Sequence, residues 1–267
     1  MPTALTIAGS DPSGGAGIQA DLKTFAAFGV YGASAITAVT VQNTVGVDQA
    51  MALDADLVTA QIETVASDFT IHATKIGILA TAAIVEAVTA AIDELELPLV
   101  VVDPVLVATS GERLLDEDGV RALTAELLAR ARLVTPNVAE AEALSGRRID
   151  SRESARDAAR VIRDLGARAV LITGGHARWD GADREVVDLL LDGEAWHELR
   201  VARVETVATH GTGCTFASAI AAGLALKRSL AEAAADAQRY VAGALAHRIA
   251  IGRGRPLLDH FWKHKSA

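Results

Sequence analysis

The sequence predicts an α/β fold, with a mainly parallel, doubly wound sheet, helices on both faces and a small antiparallel hairpin. Short apolar, β-branched runs alternate with segments of helical spacing along most of the 267 residues. The apolar runs are continuous, which is typical of strands that helices cover on both faces. Hydrophobic residues make up 51% of the chain and aromatic residues only 4%, so the core must be mostly aliphatic.

Each element follows from its local pattern. Strands are predicted at Ala4–Ala8, Ala33–Val41, Ala73–Ile78, Leu99–Val102, Leu133–Val134 and Ala169–Ile172. Helices are predicted at Ile18–Phe28, Asp54–Asp68, Thr81–Leu95, Glu117–Ala129, Ser151–Leu165, Thr212–Leu226 and Leu230–Ile251. Glu185–Leu191 and Glu194–Val201 predict the hairpin, because Asp192-Gly193 between them is a favoured two-residue turn. Since no linker or repeat interrupts the pattern, we expect one domain over residues 1–267.

Composition excludes several classes of function. The formal net charge is −9, and wholesale binding to nucleic acid or to an anionic membrane needs a surplus of Lys and Arg instead. One cysteine excludes an intramolecular disulfide and a cysteine-based zinc cluster. Residues 1–17 lack the basic and apolar regions of a signal peptide, and the apolar run Phe216–Leu226 is too short to span a bilayer. We therefore expect a cytoplasmic protein with no nucleic-acid or membrane partner.

Small and polar residues follow the predicted strands. Ligands of open α/β sheets bind outside the carboxyl ends of the strands, where these residues would meet. The segments are Gly9–Gly17, Gln42–Thr44, Gly77, Asp103–Val105, Thr135–Asn137, Gly174–His176 and His210–Thr215. Any one of these segments could be a simple turn, but together they predict one site.

The most specific segment is Gly211-Thr212-Gly213-Cys214, directly ahead of a predicted helix. Glycine lets backbone approach a phosphate closely, and the first turn of a helix presents unpaired N–H groups to it. The alternative is an ordinary glycine-rich loop with a threonine cap. The segment is not a P-loop, because no Lys-Ser/Thr pair follows the glycines.

Cys214 falls in the first turn of that predicted helix. There the helix dipole and free N–H groups favour a thiolate and should lower the pKa of the thiol, as suits a general base. The alternative is a small buried residue without a chemical role.

Acidic and amide side chains at other strand ends are candidates for metal and substrate contacts. Asn137 and Glu140, three apart at a helix start, suit a hydrated Mg²⁺, although the same spacing is typical of a capping box. Asp103 either assists such a metal or is a turn residue. Asp21 and Gln42 are polar residues in apolar surroundings, which favours hydrogen bonds to a substrate, but Asp21 could equally face solvent.

These segments carry a resemblance to a known family. The run Ala8 to Thr24 resembles the N-terminal signature of the hydroxymethylpyrimidine/phosphomethylpyrimidine kinases, which are ribokinase-like enzymes of thiamine biosynthesis. Further matches follow in order at Gln42-Asn43-Thr44, Lys75-Ile76-Gly77, Asp103-Pro104-Val105, Thr135-Pro136-Asn137, Gly174-Gly175-His176 and His210 to Thr215. The resemblance therefore spans nearly the whole chain.

The resemblance implies a single ribokinase-like kinase domain that uses ATP and Mg²⁺. It implies phosphorylation of 4-amino-5-hydroxymethyl-2-methylpyrimidine to the monophosphate and then to the diphosphate, and it suggests a homodimer. By matching positions, Gln42 should bind the pyrimidine, with Gly9, Asp21 and Val105 lining its pocket. Gly211, Thr212 and Gly213 should form the anion hole beside Cys214 as the base. Asn137, Glu140, Thr173 and Gly175 should contact the nucleotide, and Asp103 and Glu140 the metal.

Two positions depart from the family pattern. Thr173 stands where the family usually has Lys, which removes a cation facing the phosphates, so that a distant Arg or the metal would have to replace it. Ile78 stands where Met is common, an exchange of one apolar residue for another. A pyridoxal/pyridoxine kinase and a non-catalytic nucleotide-binding relative are the alternatives. A sugar kinase is disfavoured, because Cys214 occupies the place of an expected Asp.

Overall fold

A nine-stranded sheet organises the computed structural model, which describes residues 1–107, 111–175, 177, 184–205 and 210–264. The strands are β1 (Thr3–Ser10), β2 (Tyr31–Gln42), β3 (Val47–Ala52), β4 (Ala73–Ile76), β5 (Val100–Val102), β6 (Leu133–Val134), β7 (Ala169–Ile172), β8 (Glu185–Asp192) and β9 (Ala195–Ala202). Their order is β3-β2-β1-β4-β5-β6-β7-β8-β9. Neighbours from β2 to β7 pair in parallel, whereas β3, β8 and β9 are antiparallel to theirs. The predicted fold class is confirmed, including the hairpin, which is β8–β9.

Helices lie on both faces of the sheet. They are α1 (Gly17–Ala27), α2 (Ala55–Asp68), α3 (Ala82–Glu94), α4 (Glu117–Ala122), α5 (Val138–Ser145), α6 (Arg152–Asp164), α7 (Thr212–Ala225) and α8 (Leu230–Ala246). One apolar core gathers side chains of α2 to α6, such as Ile62, Val88 and Ile162. The other gathers those of α1, α7 and α8, such as Phe25 and Ile220. Continuous apolar strands are thus buried from both sides, as the sequence pattern predicts.

Side-chain caps explain where several helices begin. Asp54 caps α2 by accepting a hydrogen bond from the backbone N–H of Asp56. Ser151, the first residue of the predicted helix, forms a reciprocal capping box with Ser154 at the start of α6. Each cap satisfies backbone donors that have no partner within the helix.

The structure differs from the predicted elements in several places. The hydrophobic pattern of the sequence does not predict β3, because five of its six residues are exposed. This strand is held by backbone pairing with β2 and has no buried face. The helix predicted over Glu117–Ala129 continues beyond α4 as a π-helical turn and a 3₁₀ turn. α8 ends at Ala246 and not at Ile251, because Ile249 pairs with Leu257 instead.

The order of the strands determines where a ligand can bind. β1 lies between β2 and β4, so the chain winds outward in both directions from the β1–β4 boundary. At such a switch point the loops after neighbouring strands separate and leave a crevice at their carboxyl ends. None of the helices in the described ranges combines the length and apolar character needed to cross a membrane.

Candidate active site

A cavity of about 760 Å³ opens at the carboxyl ends of the parallel strands. It brings together all the sequence-predicted site residues except Asp21: Gly9, Gln42, Asp103, Val105, Asn137, Glu140, Thr173, Gly175, Gly211, Thr212, Gly213 and Cys214. His176 lies outside the described residues. The predicted convergence of the strand-end segments is therefore present, while the role of each residue stays a prediction.

The loops after β1 and before α7 touch through their backbones. Gly211 has φ of +79°, and a Cβ there would overlap the carbonyl oxygen of Gly15. Gly17 has φ of +57°, and a Cβ there would overlap the carbonyl oxygen of Gly9. Only glycine combines left-handed backbone with such close approach, so Gly211 lets the two loops meet and Gly17 lets the loop after β1 fold back on itself.

Substitution of Gly211 should damage both the fold and the site. We expect Gly211→Ala to lower the free energy of unfolding by about 2 kcal/mol or more, since it adds backbone strain to a steric overlap. Urea unfolding measures the loss. The matched control is Gly46→Ala, because Gly46 also lines the cavity but has open space for a Cβ and no positive φ. Equal stability of the two variants would contradict the close approach of the loops.

The N-terminus of α7 forms one wall of the cavity. Gly211 is its N-cap and supplies no side chain to cap the first turn. N–H groups in a first turn have no partner within their helix, so this end is suited to an anion. An added Cβ at Gly213 would lie 3.6 Å from Asp103 Oδ1, so that carboxylate stands directly behind the first turn.

The Cys214 thiol behaves differently from the sequence-based expectation. Burial raises its pKa to about 12, and the negative charges of Asp103 and Asp21 act in the same direction. The positive charge of Lys75 opposes them but does not prevail. The prediction of a lowered pKa is therefore wrong for the free protein, because the loss of hydration at a residue only 9% exposed outweighs both Lys75 and a hydrogen bond from the Gly17 backbone.

A fully buried lysine lies beneath the cavity. Lys75 Nζ is 3.0 Å from Asp21 Oδ2 and 4.0 Å from Asp103 Oδ2. Burial disfavours its charge, but Asp21, Cys214 and Asp103 together hold the pKa of Lys75 above its ordinary value. Gly77 makes room, since a Cβ there would lie 2.8 Å from Nζ. The sequence showed Lys75 only as part of a motif, since its position on the buried strand β4 gave no sign of a charge in the core.

Asp21 belongs to this buried network and not to the wall of the cavity. Its carboxylate accepts hydrogen bonds from Thr6 Oγ1 and Ser218 Oγ, both at 2.6 Å, and from Lys75. It is fully buried and is not among the described residues of the lining. This corrects the expectation that Asp21 lines the substrate pocket. The carboxylate instead ties α1, α7 and β4 together below the site.

Asp103 and Glu140 form a pair of buried carboxyl groups suited to a cation. Burial raises the pKa of Asp103 to about 6, and burial together with the nearby charge of Asp103 raises that of Glu140 to about 8. Asp103 Oδ2 is buried without a hydrogen-bond partner within the described ranges. This oxygen has Lys75 Nζ 4.0 Å away, beyond hydrogen-bond distance. A carboxylate oxygen without a hydrogen bond, near a second carboxyl group, fits Mg²⁺, which often takes one or two protein carboxylates and completes its shell with phosphates and water.

Asn137 and Glu140 also form the capping box of α5. Asn137 Oδ1 accepts a hydrogen bond from the backbone N–H of Glu140 at 3.0 Å, and Glu140 Oε2 accepts one from the backbone N–H of Asn137 at 2.9 Å. The structural interpretation of their spacing is therefore confirmed. It does not exclude a second role for Glu140, whose Oε1 is not used by the box.

The raised pKa values of this pair predict the effect of pH on stability. A folded-state pKa above the unfolded value means that the folded protein holds its proton more tightly, so stability falls as pH rises from about 4 towards the folded value. We expect the free energy of unfolding without Mg²⁺ to fall between pH 5 and 8.5. Glu140→Gln should reduce that fall by more than about 1 kcal/mol, because glutamine keeps the capping box but carries no charge. Urea unfolding at several pH values checks this, and a variant as pH-sensitive as the parent would contradict it.

A second group of polar residues that line the cavity surrounds His210. Its Nε2 lies 3.0 Å from Asp11 Oδ2 and 3.0 Å from the amide nitrogen of Gln42. Asp11 also accepts hydrogen bonds from backbone N–H groups of the loop after β1. Sequence reasoning singled out Gln42 but assigned no role to His210 or Asp11, because only the fold brings these three residues together.

The region around Thr173 and Gly175 contains an arginine that sequence reasoning did not identify. Arg203 lines the cavity and donates hydrogen bonds to the carbonyl oxygens of Gly175 at 2.7 Å and Ala177 at 2.8 Å. Its Nε is buried without a hydrogen-bond partner in the part of the chain that the structure describes. Thr173 thus has a guanidinium nearby, contributed by a residue 30 positions further along the chain.

Comparison with known proteins identifies the family of this chain. Residues 11–259 match the family model of phosphomethylpyrimidine kinase. The chain belongs to the phosphomethylpyrimidine kinase family. A hydroxymethylpyrimidine/phosphomethylpyrimidine kinase of Rhizobium meliloti (strain 1021) is 48% identical over 267 residues, covering 97% of this chain and 98% of the relative.

Solved structures agree with this membership of the phosphomethylpyrimidine kinase family. An ADP complex of Bacillus subtilis pyridoxal kinase has a TM-score of 0.90 at 36% identity, covering 99% of both chains. A phosphomethylpyrimidine kinase of Clostridium difficile 630 has a TM-score of 0.79 at 38% identity, covering 90% of this chain and 98% of the other. The predicted ribokinase-like fold and kinase activity are confirmed, and a kinase of this family uses ATP.

Proposed function

We propose that the chain transfers the γ-phosphoryl group of ATP to the hydroxymethyl group of 4-amino-5-hydroxymethyl-2-methylpyrimidine, and then a second phosphoryl group to the monophosphate. This is the activity of a thiamine-biosynthesis enzyme. The observation that carries the proposal is a single cavity lined by Gln42 at the end of β2, by Arg203 directly after β9 and by the first turn of α7. One kinase domain, a cytoplasmic location and a homodimer stay predictions.

The end of the cavity near Gln42 supplies the substrate site. Gln42 offers an amide to the polar edge of the ring, and Gly9 and Val105 contribute the small and apolar walls. Ile78 also lines this end, and its side chain lies 3.6 Å from where a Cβ of Gly9 would be. A side chain at position 9 would therefore reduce the space for a flat ring.

The end near Arg203 supplies the nucleotide site. Val186, Val201 and Leu245 provide an apolar surface for a purine base. Arg203 brings positive charge beside Thr173 and Gly175, and so supplies the cation that Thr173 does not. Phosphates extending from this end towards α7 meet the N–H groups of its first turn, which stabilise the charge on the transferred phosphoryl group.

Cys214 is proposed to accept the proton of the substrate hydroxyl. The raised pKa of the free thiol means that Cys214 acts only when nearby positive charge favours the thiolate, and Lys75 already acts in that direction. Asp103 and Glu140 would hold Mg²⁺, which when bound neutralises negative charge on the phosphates and on these carboxylates. With the Asp103 charge neutralised, one of the causes of the raised Cys214 pKa is removed.

Pyridoxal kinase is the second candidate, favoured by the high structural similarity to the Bacillus subtilis enzyme. Steady-state assays with ATP should therefore be run in parallel on the hydroxymethylpyrimidine and on pyridoxal. We expect a kcat/KM at least about tenfold higher for the pyrimidine. A higher value for pyridoxal would replace the proposal with the second candidate.

A further inference from the structure

The contacts of His210 constrain where its protons lie. Nε2 is 3.0 Å from Asp11 Oδ2 and 3.0 Å from the atom assigned as Gln42 Nε2. A ring nitrogen either carries a proton and donates, or has a lone pair and accepts. It cannot donate to the Asp11 carboxylate and also accept a hydrogen bond from an amide NH₂. Either Nε2 therefore has no proton for Asp11, or the oxygen and nitrogen of the Gln42 amide must be exchanged.

The hydrogen bonds around Asp11 determine that its carboxyl group is ionised. Its carboxylate accepts hydrogen bonds from the backbone N–H groups of Ser13 at 2.8 Å, Gly15 at 3.2 Å and Ala16 at 2.8 Å. Burial opposes ionisation, but these donors and His210 hold the pKa of Asp11 below its ordinary value. An ionised carboxylate 3.0 Å away requires a donor, so His210 Nε2 carries a proton.

The amide of Gln42 must then present its oxygen to His210, because an NH₂ group facing an N–H group places two donors against each other. The oxygen and nitrogen of an amide are told apart only by their hydrogen bonds. The exchange also suits Thr40, whose Oγ1 lies 3.3 Å from the atom assigned as Gln42 Oε1. Thr40 donates its only hydroxyl proton to Ser10 O at 3.0 Å, and can then accept one from the amide NH₂.

The imidazole has little room to abandon this arrangement. A Cβ on Gly15 would lie 2.8 Å from His210 Cδ2, so the ring rests directly on the backbone of the loop after β1. The same loop provides the N–H groups that hold Asp11. The ring, the carboxylate and the amide of Gln42 therefore form one connected set at the edge of the cavity.

We propose that His210 and Asp11 are positioning residues that fix the Gln42 amide with its oxygen towards His210 and its NH₂ towards Thr40. The fixed amide then selects a substrate ring that carries an amino group beside an acceptor nitrogen. An amide held in one orientation offers an acceptor and a donor in fixed order, as when glutamine reads the amino group and ring nitrogen of adenine. A 4-aminopyrimidine matches that order. In pyridoxal, neither carbon next to the pyridine nitrogen carries an amino group. Pyridoxal therefore offers the acceptor nitrogen without the neighbouring donor. The selection of substrate rests on the proposed function, whereas the positions of the protons do not.

The proton on His210 can be observed directly in the protein without substrate. ¹⁵N-detected NMR of the imidazole, assigned by comparison with His210→Phe, should show Nε2 protonated. Asp11→Asn should weaken that preference and give a mixture of tautomers. Asp54→Asn is the matched control, because Asp54 is exposed at the start of α2 and asparagine still caps a helix. An Nε2 without a proton in the parent protein would overturn the proposal, whatever the enzyme phosphorylates.

Kinetics test the consequence for specificity. His210→Phe should raise KM for the pyrimidine about tenfold, the worth of one hydrogen bond, and lower the preference for pyrimidine over pyridoxal by a similar factor. His210→Gln should recover most of both, since its NH₂ can replace the Nε2–H donor. Unchanged preference in His210→Phe, or no recovery in His210→Gln, would overturn the proposal. Failure of the parent protein to phosphorylate the pyrimidine at all would instead overturn the proposed function, and the NMR result would still decide where the proton lies.

Discussion

Cys214→Ala should slow the first phosphorylation by about 100-fold or more and the second by only a few-fold. A positioned base contributes about 10² to 10⁴ to a step that removes a proton from an alcohol. The second step begins from a phosphate oxygen that is already ionised, so it does not need that base. Single-turnover rates measured separately with the pyrimidine and with its monophosphate give the two losses.

The control for this substitution is the stability of the variant. Cys214 is small, so its replacement by alanine should change the free energy of unfolding by about 1 kcal/mol or less. Urea unfolding of parent and variant checks that a lost rate reflects the thiol and not a damaged helix α7. Equal losses in both steps would contradict the role of Cys214 as base.

Lys75→Met should be among the most destabilising single substitutions in this chain. It leaves the buried carboxylates of Asp21 and Asp103 without their cation, and breaking a buried ion pair costs about 3 to 5 kcal/mol. The double variant Lys75→Met with Asp21→Asn should recover part of the loss, because it also removes one uncompensated charge. Urea unfolding of the two single variants and the double variant measures the coupling between the residues.

Lys23→Met is the matched control for that experiment. Lys23 is half-buried and donates to the carbonyl oxygen of Gly14 at 2.8 Å, so its loss should cost about 1 kcal/mol. If Lys75→Met were as mild as Lys23→Met, the buried network beneath the cavity would not contribute to stability as described.

Much of the fold could be predicted from local pattern. Continuous apolar runs such as Ala169–Ile172 identify buried parallel strands, and Ser151 and Asp54 mark the starts of helices through their capping side chains. β3 could not be predicted in this way, because its residues are exposed and its pairing with β2 depends on backbone hydrogen bonds. A strand without a buried face leaves no periodic signal in the sequence.

The parts of the candidate site that depend on the backbone could be predicted, because the residue type alone indicates them. Gly211 before α7 and Gly213 in its first turn could be recognised from residue type alone, and they predict an anion site. Side chains that act through distant partners could not be found in the same way. Lys75 and Asp21 are 54 residues apart, and His210 and Asp11 are 199 apart, so their pairing exists only in the folded chain.

The pKa of Cys214 could not be predicted from the sequence either, because it depends on tertiary structure. Position in a helix predicts a lowered pKa, but the degree of burial and the charges of Asp103 and Asp21 are set by tertiary structure. Likewise, the charge of Asp103 raises the pKa of Glu140 only because the end of β5 and the start of α5 meet at the cavity. Sequence can nominate such residues, and the folded environment then decides their protonation.

The stoichiometry of the complete reaction tests the central claim most directly. The protein would be incubated with excess ATP and Mg²⁺ and the hydroxymethylpyrimidine, and separately with its monophosphate, and products followed by ³¹P NMR. We predict two ADP per pyrimidine and one ADP per monophosphate, with the pyrimidine diphosphate as the product in both. No ADP from either substrate beyond that formed by ATP alone would contradict the account.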